Sequence, residues 1–183
     1  MKIIGDKIYI RFLEEKDAKS LLDLQQRNRA FFQLHSPTFE DDIHTVETTK
    51  KYINSLKKRI EEDKDYTFGV FLNDTEKLIG DVSLFQISRG PLQKCLIGYS
   101  LDQKFNGKGY TTQAVILAVK YAFKELKLHR IEAGAMPDNI GSMRVLEKAG
   151  FQKEGIERKG VKINGKWEDH QIFALIEEDM ISS

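Results

Sequence analysis

The stretch Leu101–Tyr110 reads LDQKFNGKGY, and the fold of the chain turns on it. An apolar run, CLIGYSL, leads into it and good helix formers, TTQAVILAVKYAFKEL, lead out, so these ten residues join a strand to a helix. Gly107 and Gly109 let the backbone turn with positive φ and approach a ligand with no side chain between. The helix that follows leaves its first N–H groups unsatisfied and carries partial positive charge at that end. The turn reads either as an anion pocket, most naturally for phosphate, or as a tight turn and nothing more. Lys104 and Lys108 either add charge there or are solvated surface. Two better-known phosphate loops do not fit. A P-loop needs G-x-x-x-x-G-K-[ST], whereas Gly107-Lys108-Gly109 is followed by Tyr110, so no hydroxyl is placed for magnesium. A dinucleotide fingerprint needs G-x-G-x-x-G near the first strand, but the third glycine position is Thr112 and the turn follows four strands.

Upstream, KIYIRFL alternates Ile8, Ile10 and Phe12 with polar partners, the pattern of a half-buried strand. Asp17 stands where it would cap a helix carrying Ala18, Leu21, Leu22 and Leu24. RNRAFFQLHSPTFEDD breaks that pattern around Pro37, yet Phe31, Phe32, Leu34 and Phe39 are too apolar for an idle linker. It reads as a loop packed over something. A second helix is expected from about Val46 to Glu62, with Tyr52, Ile53, Leu56 and Ile60 on one face. YTFGVFL, KLIGDVSLFQI and KCLIGYSL follow with short turn-rich connections, an antiparallel meander.

Downstream of the glycine turn come a helix over Thr112–Glu125, the strand RIEAGAM, a short helix Ile140–Lys148 closed by Gly150, and the strands FQKEGIERK and KWEDHQIFALI. The order β-α-α-β-β-β-α-β-α-β-β describes an α+β chain. Its 183 residues suit one domain spanning 1–183, burying roughly 70% of the unfolded surface.

The 29 basic and 28 acidic residues exclude a general nucleic-acid or membrane-surface binder, so any basic site is local. The lone Cys95 has no partner for an internal disulfide, and no Cys/His spacing suggests a structural zinc. No segment approaches the ~18 apolar residues of a membrane span, and the first residues lack a signal peptide's apolar core. The expectation is a cytoplasmic protein.

Taken together the motifs resemble the GNAT N-acetyltransferases, in particular the branch that acetylates N-termini of ribosomal proteins. That family's pyrophosphate loop reads [RQ]-x-x-G-x-[GA], and here Lys104-Phe105-Asn106-Gly107-Lys108-Gly109 matches it except for lysine at the first position. DNIGSMRVLEKAGFQKEG (Asp138–Gly155) resembles the family's N-x-x-S segment and the helix ending in K-x-GF. IYIRFLEEKDA, KLIGDVSL and GKWEDHQIFALI extend the resemblance over nearly the whole chain.

The resemblance implies the GNAT fold, a mixed, mostly antiparallel sheet of about seven strands flanked by about four helices. It implies acetyl transfer from acetyl-coenzyme A to a primary amine by direct attack, without a metal. Lys104 to Tyr110, with Thr111, would hold the pyrophosphate. Strand amides near Leu101 and the Asn139 side chain would hold the pantetheine arm in a gap between CLIGYSL and RIEAGAM, although Asn139 also reads as an ordinary N-cap. Ser142 would donate a proton to the leaving sulfur, or is a first-turn helix serine. No tyrosine lies in that helix to do so. The proton acceptor is open: Glu132 lies between the apolar Ile131 and Ala133, and Asp81, His129, Glu168 and His170 are further choices. The family's T-E-A triplet is here Thr112-Gln113-Ala114, which removes one acid.

The aromatic stretch before Asp41 and Asp42 would border the acceptor site. A protein or peptide N-terminus is the first expectation for the acceptor, a small amine such as a polyamine the second, and a non-catalytic coenzyme A binder the third reading. Monomer and homodimer both remain open.

Overall fold

The computed structural model describes residues 1–37 and 45–181 of the chain. Phe39, Asp41 and Asp42, read above as bordering the acceptor site, lie outside them. The elements are β1 (Lys2–Ile4), β2 (Ile8–Phe12), α1 (Ala18–Phe32), α2 (Val46–Glu61), β3 (Tyr66–Leu72), β4 (Leu78–Ser88), β5 (Lys94–Leu101), α3 (Tyr110–Lys124), β6 (Arg130–Ala135), α4 (Ile140–Lys148), β7 (Gln152–Ile163), β8 (Lys166–Ile176) and α5 (Glu177–Ile181). They build one eight-stranded sheet in the order β1-β2-β3-β4-β5-β6-β8-β7. Every neighbouring pair is antiparallel except β5 and β6, which the crossover through α3 makes parallel.

Alternation sorts the side chains of β2 to β5 between two faces. Ile8, Ile10, Phe68, Val70, Val82, Leu84, Ile97 and Leu101 meet Ala114, Ala118 and Leu146 of α3 and α4 in the main core. Phe12 stacks on Phe68 at 4.7 Å, and Tyr121 of α3 meets Phe68 edge-on at 5.2 Å. Tyr9, Phe71 and Leu78 turn to the opposite face and cover Leu21, Leu24 and Ile53 of α1 and α2 in a second cluster. Side chains as large as Phe68 and Phe173, wholly out of water, contribute about 1.5–3 kcal/mol each.

The structure amends four expectations. A first strand, β1, hairpins onto β2, and α5 closes the described chain, so there are eight strands and five α-helices among the described residues. The residues Arg27 to Phe32 continue α1 and do not form a loop. Arg27 and Asn28 there are committed to Asp102 and Gln103 in the turn after β5, which holds the last turns helical despite weaker apolar patterning. Asp17 does not cap α1 with its side chain. Its carboxylate accepts two bonds from Arg11, at 2.7 and 2.8 Å, and one from the Glu14 N–H at 2.8 Å. The second helix behaves as read: Thr45 caps α2, exchanging bonds with Thr48 in a capping box.

Candidate active site

The site follows from how β5 and β6 part. They pair at Lys94–Arg130, Cys95–Ile131 and Leu96–Glu132, and the ladder ends there. From Ile97 to Leu101, β5 keeps its bonds to β4 but has lost its neighbour on the other side, while β6 continues against β8. The result is a wedge with one open strand edge of backbone N–H and C=O groups, the kind of edge an extended amide-bearing chain pairs with.

The glycine turn lies at the mouth of this wedge. A short 3-10 turn, Gln103–Phe105, leads to Gly107 and Gly109 at φ +76° and +79°, and Gly109 is the N-cap of α3. The first ladder bond of α3 runs from the Gln113 N–H to the Gly109 carbonyl at 3.0 Å, so the N–H groups just before it point out of the helix end. A side chain built on Gly107 or Gly109 would meet nothing within 4 Å. The glycines answer the backbone's positive φ and leave space in front of the amides, which suits a diphosphate. Leu101 is buried at the end of β5, while Lys104 and Lys108 are exposed. The Lys108 ammonium rests 5.4 Å from the Phe105 ring, which itself tilts against Tyr110. Asn106 lies in the turn and Thr111 in the first turn of α3.

Residues distant in sequence hold the turn in place. Asp102, 1% exposed, accepts Arg27 Nε and Nη2 at 3.1 and 2.8 Å and the Lys104 N–H at 3.2 Å. Asn28 accepts the Gln103 N–H at 3.0 Å and donates to the Leu24 carbonyl. Burial draws the Asp102 pKa upward, but Arg27 and Lys104 outweigh it and hold the carboxyl below its ordinary range. Gln113, which stands where the family has glutamate, accepts the N–H groups of Lys7 and Ile8 at 2.9 and 3.1 Å and ties α3 to β2.

Across the wedge, Asn139 caps α4 by accepting the Ser142 N–H at 3.1 Å. Ser142 Oγ lies 2.8 Å from the Tyr99 hydroxyl, which also donates to the Ser142 carbonyl at 3.2 Å. Burial pushes the Tyr99 phenol up to about 12, so it stays protonated. No tyrosine lies on α4, and the phenol beside Ser142 comes from β5. Tyr99 was not singled out in the sequence, although its alternation with Ile97 and Leu101 marks it as facing the core.

Glu132 sits at the closed end of the strand pair. Its carboxylate accepts Lys94 Nζ at 3.1 Å and Arg130 Nε at 2.8 Å, and Arg130 also binds Glu154. Burial tends to raise its pKa, yet the two cations hold it below the usual carboxylate range. A carboxylate so neutralised is a poor proton acceptor. Of the other acids and histidines, His129 bonds Glu178 at 3.0 Å and Glu168 pairs with Lys166 at 3.2 Å. His170 is buried against Gly134.

Phe31 and Phe32 are half-buried and join neither core cluster. Beyond them, Gln33 and Asn164 exchange two bonds, at 3.1 and 3.0 Å, tying the end of α1 to the β7–β8 turn. A cavity of about 400 Å³ lies on the α1 side of β2 and β3, lined by Arg11, Arg27, Lys77 and Phe71 among others. Among the described residues no group of three His, Cys, Asp or Glu could hold a metal ion, and no helix is long and apolar enough to cross a membrane.

A parallel strand pair opened beside a glycine-lined helix N-terminus is the arrangement that the sequence motifs imply for an acyl-coenzyme A N-acyltransferase. Residues 7–152 match the acetyltransferase (GNAT) domain, and the chain belongs to that family. It is 58% identical over 175 residues to a probable N-acetyltransferase, YjcK, of Bacillus subtilis, covering 96% of this chain and 97% of the relative. It is 29% identical to the [ribosomal protein uS5]-alanine N-acetyltransferase of Escherichia coli, over 98% of this chain and 92% of that one. The solved ribosomal-protein-S5-alanine acetyltransferase of Vibrio fischeri superposes with a TM-score of 0.91 at 32% identity, covering 98% of each chain. The protein is an N-acetyltransferase whose acetyl donor is acetyl-coenzyme A.

Proposed function

We propose that the acceptor is the α-amine of a protein or peptide N-terminus, with a ribosomal protein as the model case. The observation that carries acetyl transfer is the opening of β5 from β6 between the glycine turn and the Tyr99–Ser142 pair. The acceptor class is supported by full-length similarity to two ribosomal-protein-alanine acetyltransferases.

In this reading the N–H groups from Gly107 to Thr111 bind the donor's pyrophosphate, with Lys104 and Lys108 adding charge, and the open edge of β5 down to Leu101 pairs with its pantetheine amides. Asn139 fixes the start of α4 and so the position of Ser142. The Tyr99 and Ser142 hydroxyls, hydrogen-bonded to each other, keep a proton within reach of the departing sulfur. Removing that donor raises the cost of expelling a thiolate in a water-poor wedge.

The test is release of coenzyme A thiol from acetyl-coenzyme A with short peptides beginning in Ala, Ser or Thr, beside spermidine-type amines. Turnover with peptides is expected. Turnover confined to the small amines would overturn the acceptor class and leave the acetyltransferase in place.

A further inference from the structure

The proton acceptor is the one part of the reaction that neither the motifs nor Glu132 supplies. Tyr99 and Ser100 are consecutive on the open part of β5, so their side chains leave on opposite faces of the sheet. Tyr99 meets Ser142 on the α3/α4 face. On the α1/α2 face the Ser100 hydroxyl donates to Asp81, its register partner on β4. Gly80 permits this approach, because a side chain there would come within 2.2 Å of the Ser100 carbonyl oxygen.

Asp81 is half-buried and has no ion-pair partner among the described residues. Among the described residues, the charged groups that register places near it are already paired. Gly69 faces it from β3, and Arg11, next along the same cross-strand row, is spent on Asp17. From α1, Arg27 and Asn28 are engaged with Asp102 and Gln103. On the same face across the wedge stand Glu132, held by Lys94 and Arg130, and His170 beside Gly134.

We propose that Asp81 takes the proton from the acceptor amine, on the sheet face opposite to the one that carries Tyr99 and Ser142. Burial pushes its carboxyl up to about 6, against a smaller lowering by the Ser100 hydroxyl. It is therefore ionised near neutrality and within about two pH units of an α-amine at ~7.7–8.0, where a general base works best.

The ammonium passes one proton to Asp81, and the neutral nitrogen attacks the thioester carbonyl. The C–N bond forms and the C–S bond breaks, and the sulfur takes a proton from the Tyr99–Ser142 hydroxyls. The nitrogen's surplus proton refills that pair through water, and Asp81 releases its own to solvent. One proton is released per turnover. The inference holds for either class of amine, so a failure of the N-terminal reading leaves it intact.

The experiment measures kcat from pH 5.5 to 9 for wild type, Asp81→Asn, Ser100→Ala and His170→Gln, using whichever amine of the panel the wild type acetylates fastest. Asp81→Asn is expected to lose at least a hundredfold in kcat near pH 7.5. It also loses the acid limb near pH 6, keeps the acetyl-coenzyme A KM, and gains in Tm because a charge disfavoured by desolvation is gone. Ser100→Ala is expected to move that limb to higher pH. An Asp81→Asn protein within threefold of wild type, or one that loses activity together with Tm while the limb persists, overturns the proposal. So does a limb that vanishes in His170→Gln instead.

Discussion

The two ends of the β5–β6 pair are built from the same strands and do opposite things. At the closed end three residue pairs are in register and Lys94, Arg130, Glu132 and Glu154 knit the surface with ion pairs. Beyond Leu96 the β5–β6 ladder is gone, and this stretch carries the Tyr99 and Ser100 hydroxyls, with Asp81 beside it lacking an ion-pair partner among the described residues. Charge that is neutralised stabilises; backbone and acid left without partners are available for a substrate. A carboxylate in the sequence has no assigned role until it is known at which end it falls.

The largest effect that would break this comparison comes from the hydroxyl pair at the open end. The double variant Tyr99→Phe/Ser142→Ala is expected to lower kcat about 10²- to 10⁴-fold with the donor KM nearly unchanged. The single variants should fall short of additivity, because each hydroxyl backs the other. Steady-state kinetics with both substrates varied checks this, and full activity in the double variant would remove the pair from the reaction.

Next in size is Asp102→Ala, which leaves Arg27 facing a buried void. A loss of about 3 kcal/mol is expected, or roughly 6–12 °C in Tm, with weakened donor binding. The folded pKa of Asp102 lies below its unfolded value, so its contribution is complete above about pH 4 and disappears as pH falls through the folded value. The gap in Tm between wild type and variant should therefore close below about pH 4 in a calorimetric series.

Gly109→Ala comes third. Holding alanine at φ +79° costs about 1–2 kcal/mol, expected as a roughly tenfold rise in the acetyl-coenzyme A KM with kcat little changed. The smallest effect sharpens the comparison from the closed end: Glu132→Gln should keep kcat within about twofold and lose on the order of 1 kcal/mol of stability. A hundredfold loss of kcat there would return Glu132 to the reaction.

The parts legible in the sequence were those decided by neighbours along the chain. Gly107 and Gly109 marked a positive-φ turn before a helix, Asn139 and Gly150 bracketed α4, and the alternation in KIYIRFL marked β2. Asp17 misled because an acid before an apolar helical run is a local capping signal, whereas Arg11 claims its carboxylate across a turn. Glu132 shows the same limit: strand alternation says which face an acid occupies and nothing about the cations that meet it.

By itself the sequence determined the α+β order, the glycine turn and the family, because φ preference, capping and period are set by residues within a few positions of one another. The tertiary structure alone decided that β5 and β6 part after Leu96, that Arg27 and Asp102, 75 residues apart, clamp the turn, and that Tyr99 meets Ser142 on one face while Ser100 meets Asp81 on the other. Those pairings depend on strand register and helix packing, and they set each acid's protonation through burial and charge that no short window of sequence contains.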